Sequence, residues 1–163
     1  SGTYMFKLSG NDSNTPAETI ELNINNWFSD NKIQHSIVDL DPYSKVDAPG
    51  SGDEFMTLTY AADRMSGEWF TDEAVEFYSV KAGTEFAFYW VEGGATSGTW
   101  STEHLLNKGG NIPAISHLST WNPVTATDSG TAGDPNPTPE PATLVLLGIG
   151  LMGVATVGRK ARK

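Results

Sequence analysis

The sequence predicts an all-β domain, an antiparallel β-sandwich of jelly-roll type at residues 1–127, followed by a linker and a C-terminal hydrophobic helix. Three observations support this fold class. Short segments in which apolar and polar residues alternate recur along the first 127 residues, and turn residues separate them without a long helical pattern. The five Trp, five Tyr and seven Phe all lie at or before Trp121 and supply a core. The composition changes after residue 127, which sets the domain boundary.

The first four predicted strands follow from period-two alternation. Tyr4, Phe6 and Leu8 mark the first strand. Ile20, Leu22 and Ile24 alternate with polar residues and predict a half-buried second strand. Residues 33–40 and 55–60 predict the third and fourth, with an Asp-Pro turn at Asp41 and a stretch rich in Asp, Pro, Gly and Ser between them.

The strongest strand signal is a hairpin. Residues 75–80 and 85–91 flank the turn Lys81-Ala-Gly-Thr. The second arm is apolar on both faces, which predicts a central strand. Residues 114–121 predict the last strand, and residues 101–107 are the one segment predicted to be helical, because Ser101 can cap it and Gly follows.

The chain is acidic and has no Cys. Twenty Asp and Glu against ten Lys and Arg give a formal net charge of −10. This charge argues against nucleic acid as a partner, because phosphate backbones are bound by Lys and Arg. The absence of Cys excludes disulfides and thiolate metal sites. The charge is also divided: residues 1–138 hold nineteen acidic and six basic residues, whereas the end of the chain is basic, which predicts different roles for body and tail.

The C-terminal part combines a linker, an apolar span and a basic end. Residues 128–138 are rich in Pro and Gly and are predicted to be a flexible linker. Residues 142–158 carry no charge, and as a helix they would reach about 25 Å, which is marginal for a hydrocarbon core of about 30 Å. The basic residues that follow should stay on the cytoplasmic side, and these are Arg159, Lys160, Arg162 and Lys163.

Pro139, Glu140 and Pro141 stand directly before this span. Together with the span and the basic end, they resemble the PEP-CTERM sorting signal of exported bacterial proteins, which an exosortase in the membrane processes. The resemblance covers residues 139–163. It implies that the three residues are the recognition element, that the span enters the membrane transiently, and that the basic end is the stop. It also implies export to the surface of a Gram-negative-type bacterium, with the exosortase as processing partner.

Residues 78–119 look like the ectodomains commonly joined to such tails. The similarity consists of an aromatic strand, the element Ser97-Gly-Thr-Trp-Ser-Thr, a Gly-rich turn and a final Ile115-Ser-His-Leu-Ser strand. It supports location more than activity. Residues 1–7 show no apolar signal region, so we expect that an export signal was removed or that the sequence is a fragment. The leading hypothesis is a non-enzymatic, exported surface or matrix protein that associates with exopolysaccharide or biofilm.

Two kinds of ligand site are predicted in the body. Trp100 and Trp69 lie near strand ends, where exposed indoles would stack on sugar rings, so a carbohydrate-binding module is an alternative function. Core packing is the simpler interpretation of both residues. Asp39, Asp41 and Asp47 surround a turn and offer oxygen ligands for Ca²⁺ as a possible cofactor, although the spacing does not match an EF-hand.

Catalytic motifs are not evident. His35, His104 and His117 are too far apart in sequence for a metal motif, and no nucleophile elbow or phosphate-binding loop is present. A secreted glycan-active enzyme is a further alternative, if Asp72 with Glu73 or with Glu68 faced one cleft about 5 to 10 Å apart. A stable tail anchor is the remaining alternative for the C-terminal span.

Overall fold

The computed structural model describes residues 2–124, which form six β-strands, one α-helix and one 3₁₀ turn. Every strand pair is antiparallel, so the predicted antiparallel β-domain is confirmed. The order across the sheet is β1-β5-β4-β6-β2, and β3 pairs with β4. The elements in chain order are β1 (Thr3–Ser9), the 3₁₀ turn (Asp12–Asn14), α1 (Ala17–Asp30), β2 (Pro42–Asp47), β3 (Met56–Leu58), β4 (Ser66–Ala82), β5 (Glu85–Ser101) and β6 (Ile115–Val124).

The predicted hairpin forms the centre of the sheet. β4 and β5 meet at a turn in which Gly83 has φ 57°, a left-handed conformation that glycine adopts without strain. β5 lies between β1 and β4, which confirms its central position. Phe88 on one face and Ala87 on the other are both fully buried, because each face of the strand meets a separate core.

The helix α1 covers one face of the sheet. Ile20, Ile24 and Phe28 are buried at intervals of four residues and form one apolar stripe. This stripe packs in one cluster with the aromatic side chains of β4 and β5, and the Phe28 and Trp90 rings meet edge to face at 5.1 Å. The helix therefore supplies the second layer of this core.

The other face is covered by the sheet itself. Trp69 and Tyr78 lie nine residues apart on β4, which would separate them by about 30 Å in a straight strand. Their ring centroids are only 5.5 Å apart. The pairing register of β4 shifts between Phe70 and Phe77, and Gly93 and Gly94 opposite have positive φ. The two layers on this side thus come from one connected sheet that bends back over its own face.

The second predicted strand, at Ile20, Leu22 and Ile24, is wrong, because these residues belong to α1. Ile20, Ile24 and Phe28 fit a helical spacing, whereas Asn26 breaks the alternating one. Leu22 points away from the core with 60% exposure, which a half-buried strand would not allow.

The third predicted strand, at residues 33–40, is also wrong, since this segment is a loop. Its backbone bonds to side chains of α1 instead of to a neighbouring strand. Asn25 accepts from the N–H of Ile37 and donates to its carbonyl, each at 2.9 Å, and Glu21 accepts from Leu40 N–H at 2.9 Å. The predicted turn after Asp41 is instead the beginning of β2, which pairs with β6.

The helix predicted at residues 101–107 is absent from the described part of the chain, where this segment is an irregular turn after β5. Thr102 is fully buried there and donates to the carbonyl of Pro113 at 2.8 Å, which fixes the turn by a tertiary contact.

No helix within residues 2–124 combines the length and the apolar character that crossing a membrane requires. The predicted linker, the sorting motif, the span at 142–158 and the basic end lie outside the described residues.

A candidate ligand-binding cleft

An open cleft of about 560 Å³ lies where the folded-back ends of β4 and β5 approach the face of the sheet. Its volume falls within the range of small-ligand sites, roughly 300 to 1,000 Å³. β1, both arms of the hairpin and the turn after β5 contribute side chains to it. The aromatic and charged side chains of the lining are Tyr4, Glu68, Tyr78, Tyr89, Trp100, Glu103 and His104.

Two stacked aromatic pairs form the walls of the cleft. Tyr4 and His104 stack with ring centroids 4.0 Å apart, and Tyr78 and Tyr89 stack at 4.7 Å with nearly parallel planes. Tyr4 also meets Tyr89 edge to face at 5.8 Å, which joins the pairs into one group. β1 and β5 hold these rings in register, because Tyr4 is paired directly with Tyr89.

The three tyrosines of the cleft are neutral phenols. Burial raises the pKa of Tyr78 and of Tyr89, and for Tyr89 the neighbouring Tyr78 and Glu103 raise it further. Burial also raises the pKa of Tyr4. The hydroxyl of Tyr78 donates to the carbonyl of Thr99 at 3.1 Å. The three phenols therefore stay protonated at physiological pH.

The rim of the cleft is acidic. Glu68 is exposed on β4, and the side chain of Glu103 is 65% exposed on the turn after β5. Glu103 lies 3.6 Å from Nε2 of His104, so the imidazole sits between a carboxylate and the ring of Tyr4. Apart from His104, the lining residues include no basic side chain.

Trp69 and Trp100, the two indoles predicted as possible glycan contacts, are core residues with exposures of 0% and 2%, which agrees with the simpler interpretation of core packing. Each pairs across the hairpin with a glycine, Trp69 with Gly98 and Trp100 with Gly67. A Cβ at Gly98 would lie 2.8 Å from the Trp69 ring, and one at Gly67 would lie 2.8 Å from the Trp100 ring. The indoles thus fill the space over the glycines, and Trp100 is also part of the cleft lining.

A second polar cluster is buried on the α1 side of the sheet. The carboxylate of Asp12 lies 2.6 Å from Nε2 of His117, and it accepts a hydrogen bond from Ser79 Oγ at 2.5 Å. Trp121 Nε1 donates to the same Ser79 hydroxyl at 3.1 Å. Ser, His and Asp are therefore together, but the carboxylate stands between the hydroxyl and the imidazole. Activation of a Ser nucleophile needs the imidazole in that middle position, so this arrangement is structural.

The charge of Asp12 is stabilised within this cluster. Burial by itself raises the pKa of its carboxyl, but the hydrogen bond and charge of His117 and the hydrogen bond of Ser79 outweigh burial and lower the pKa to about 2. Asp12 also borders a second cavity of about 560 Å³ between α1 and β2. Both of its oxygens already accept protein hydrogen bonds there.

The three residues of the predicted Ca²⁺ site do not come together. Asp41 precedes β2 and Asp47 ends it, so the extended strand holds them apart, and Asp39 lies in the loop before. Within residues 2–124, no group of three or more His, Asp or Glu side chains has the geometry to hold a metal ion. Asp47 instead pairs with Lys45 at 3.1 Å.

The predicted acidic pairs divide between different surroundings. Burial, together with the hydrogen bond that Tyr43 donates to Asp72, raises the pKa of Tyr43 to about 12. Neither Asp72 nor Glu73 lines the cleft, whereas Glu68 does, with Glu103 as the second carboxylate.

The sequence did not predict Glu103, His104 and the tyrosines as cleft residues, because they converge only through the bend of the hairpin. A usable signal was present in the two Gly-x-Trp triplets, at Gly67 and at Gly98.

Comparison with known protein families matches residues 137–163 to the PEP-CTERM protein-sorting motif. This match includes the sorting signal predicted at 139–163, with Pro139, Glu140 and Pro141 at its start, and the resemblance is confirmed. No curated protein and no solved structure matches the chain.

Proposed function

We propose a function for the body of this protein that builds on its sorting signal. The PEP-CTERM motif marks the chain as an exported protein that an exosortase sorts to the cell surface. In this proposal the body is a non-enzymatic matrix protein that binds exopolysaccharide in the biofilm of a Gram-negative-type bacterium. The order of motif, uncharged span and basic end carries the sorting part. The aromatic and acidic cleft carries the polysaccharide part.

Sorting would proceed from the chemistry of the tail. The span at 142–158 enters the membrane transiently, and its basic end stays on the cytoplasmic side. Residues 139–141 then emerge on the far side. Pro139 and Pro141 flank Glu140, and proline favours the extended backbone that a protease-like cleft accepts. The motif is the substrate in this step, and cleavage or transfer near it separates the body from the basic end.

Several features of the cleft suit a sugar polymer. Phenol rings pack against the apolar C–H faces of sugars, and carboxylates accept hydrogen bonds from ring hydroxyls. Tyr4 is half-buried, so part of its surface is available at the mouth, while Glu68 and Glu103 extend from the rim. Binding is favoured over hydrolysis, because a glycosidase needs a general acid in a desolvated environment that raises its pKa, and both rim carboxylates are exposed.

Mass spectrometry of the protein from its native host tests the sorting part. The surface-exposed wild-type form should lack the basic C-terminus. A variant with Pro139→Ala, Glu140→Ala and Pro141→Ala should retain it in the membrane fraction. A matched variant with Asp134→Ala and Pro135→Ala in the linker should be processed normally. An intact basic end on the surface-exposed wild-type protein would contradict the proposed processing.

Binding of the full chain to extracellular polysaccharide purified from the host tests the second part. Tyr4→Ala should weaken binding by about five- to tenfold, because it removes the stacking surface at the mouth of the cleft. Phe70→Ala is the matched control, since Phe70 is 44% exposed and lies outside the cleft lining. Equal affinity of Tyr4→Ala and wild type would refute the cleft as the binding site.

A further inference from the structure

The charge of the cleft restricts the class of sugar that suits it. Glu68 and Glu103 contribute two carboxylates, and the lining includes no Lys or Arg. The surroundings have the same sign, because residues 2–124 contain seventeen Asp and Glu against six Lys and Arg. An acidic polysaccharide, with one carboxylate on each of many sugars, would be repelled both by the rim and by the domain as a whole.

The walls of the cleft favour a cation as well. The face of a neutral phenol ring attracts ammonium groups, and Tyr4 presents such a ring, half-buried, at the mouth of the cleft, whereas Tyr78 and Tyr89 are buried and stack on each other behind it. Tyr78 and Tyr89 donate their hydroxyls to the backbone carbonyls of Thr99 and Ser101, at 3.1 and 3.4 Å, which fixes the rings behind Tyr4. His104 is the one lining group that can carry a positive charge, and Glu103 at 3.6 Å is placed to compensate it.

We propose that this cleft selects polysaccharides whose amino sugars carry free, protonated amino groups, the products of N-deacetylation, over the corresponding N-acetylated and acidic polymers. The inference rests on the proposed association with polysaccharide and names its chemical class. The amino group lies against the Tyr4 ring and the two carboxylates, while the hydroxyls of the same sugar bond at the rim. A reaction that removes acetyl groups from an amino-sugar polymer must therefore supply the ligand.

The test compares two hexasaccharides with the same backbone, the β-1,4 hexamer of glucosamine and the β-1,4 hexamer of N-acetylglucosamine. Their affinities for the full chain are measured by calorimetry at low and at high salt. The glucosamine hexamer should bind at least about tenfold more tightly at low salt, and the difference should shrink at high salt because exposed charges are screened.

The double variant Glu68→Gln, Glu103→Gln should lose most of this preference, with about three- to tenfold weaker binding of the glucosamine hexamer. Its matched control is Glu18→Gln, Asp30→Asn, which changes the net charge by the same amount at exposed positions of α1, on the other side of the sheet. The control should keep the wild-type preference. A control that lost it equally would show that net charge alone attracts the ligand, and would overturn the assignment to the cleft.

The remaining outcomes separate this inference from the proposed function. Equal affinity for both hexamers, still weakened by Tyr4→Ala, would overturn the selection of cations and leave polysaccharide binding in place. Failure to bind either hexamer together with failure to bind the host polysaccharide would overturn both. A lysine hexapeptide that competed at the same concentration as the glucosamine hexamer would also overturn the inference, because the site would then recognise positive charge without the sugar.

Discussion

Replacing Asp12 with Asn tests whether the buried polar cluster holds the segment after β1 against the sheet. The carboxylate connects the 3₁₀ turn to His117 on β6 and Ser79 on β4, three elements that are distant in sequence. Asn keeps the shape of the side chain but cannot carry the charge that His117 stabilises. The substitution thus removes the electrostatic contribution with little change in packing.

The pKa of Asp12 gives the magnitude. The pKa of Asp12 falls from 3.8 to about 2 on folding. This shift stabilises the folded protein by about 2 to 3 kcal/mol at neutral pH, at roughly 1.4 kcal/mol per pKa unit. Because the pKa is lower in the folded state, the unfolded chain binds more protons between pH 2 and about 4. This contribution is therefore complete above about pH 5, and it is lost as the pH falls through the folded pKa of about 2.

Urea unfolding followed by Trp fluorescence measures the free energy of unfolding of wild type and Asp12→Asn from pH 7 to pH 2. We expect a difference of about 2 to 3 kcal/mol at pH 7 that shrinks towards zero near pH 2. Asp30→Asn, an exposed substitution at the end of α1, should change stability by less than about 0.5 kcal/mol. A difference for Asp12→Asn that stayed constant over this pH range, or was absent at pH 7, would refute the reasoning.

Further predictions concern packing, hydrogen bonding and ionisation. Gly98→Ala should lower the free energy of unfolding by about 1 to 3 kcal/mol in urea titrations, because the new Cβ meets the Trp69 ring at 2.8 Å. Asn25→Ala should cost about 1 to 3 kcal/mol by leaving the N–H and carbonyl of Ile37 without partners, whereas exposed Asn26→Ala should be nearly neutral. All five tyrosines have a raised pKa, so absorbance at 295 nm should show less tyrosinate at pH 10 in the folded chain than in urea; equal absorbance would contradict their environments.

The sequence predicts the centre of the fold better than its periphery, and α1 shows the physical reason. The strand β5 is apolar on both faces, and only a central position buries both. Ile20, Leu22 and Ile24 fit two periodicities over five residues, so the alternation does not decide between them. Asn26 decides, since it breaks the alternation, whereas Phe28 extends the helical series by one more turn and meets the Trp90 ring.

The cleft is harder to predict because its residues meet through the bend of a long hairpin. Tyr4 and Tyr89 are adjacent by strand pairing, and His104 joins them only because β5 ends beside β1 after folding back. Local periodicity does not encode this contact. The Gly-x-Trp triplets at Gly67 and Gly98 do encode part of it, because antiparallel pairing of their strands brings each Trp opposite a Gly and makes room for both indoles.

Different residues determine the shape of the cleft and its charge, so the two properties can change separately. Trp69 and Trp100 fix the bend from within the core, so substitutions there alter stability together with the shape of the cleft. Glu68 and Glu103 extend from the rim into solvent, where exchange for Gln costs little folding free energy. Substitutions at these two exposed positions can thus change which ligand charge the cleft prefers, while the stacked tyrosines remain. Preference for charge and affinity for the sugar ring are therefore expected to vary independently, and the Glu and Tyr4 variants measure them separately.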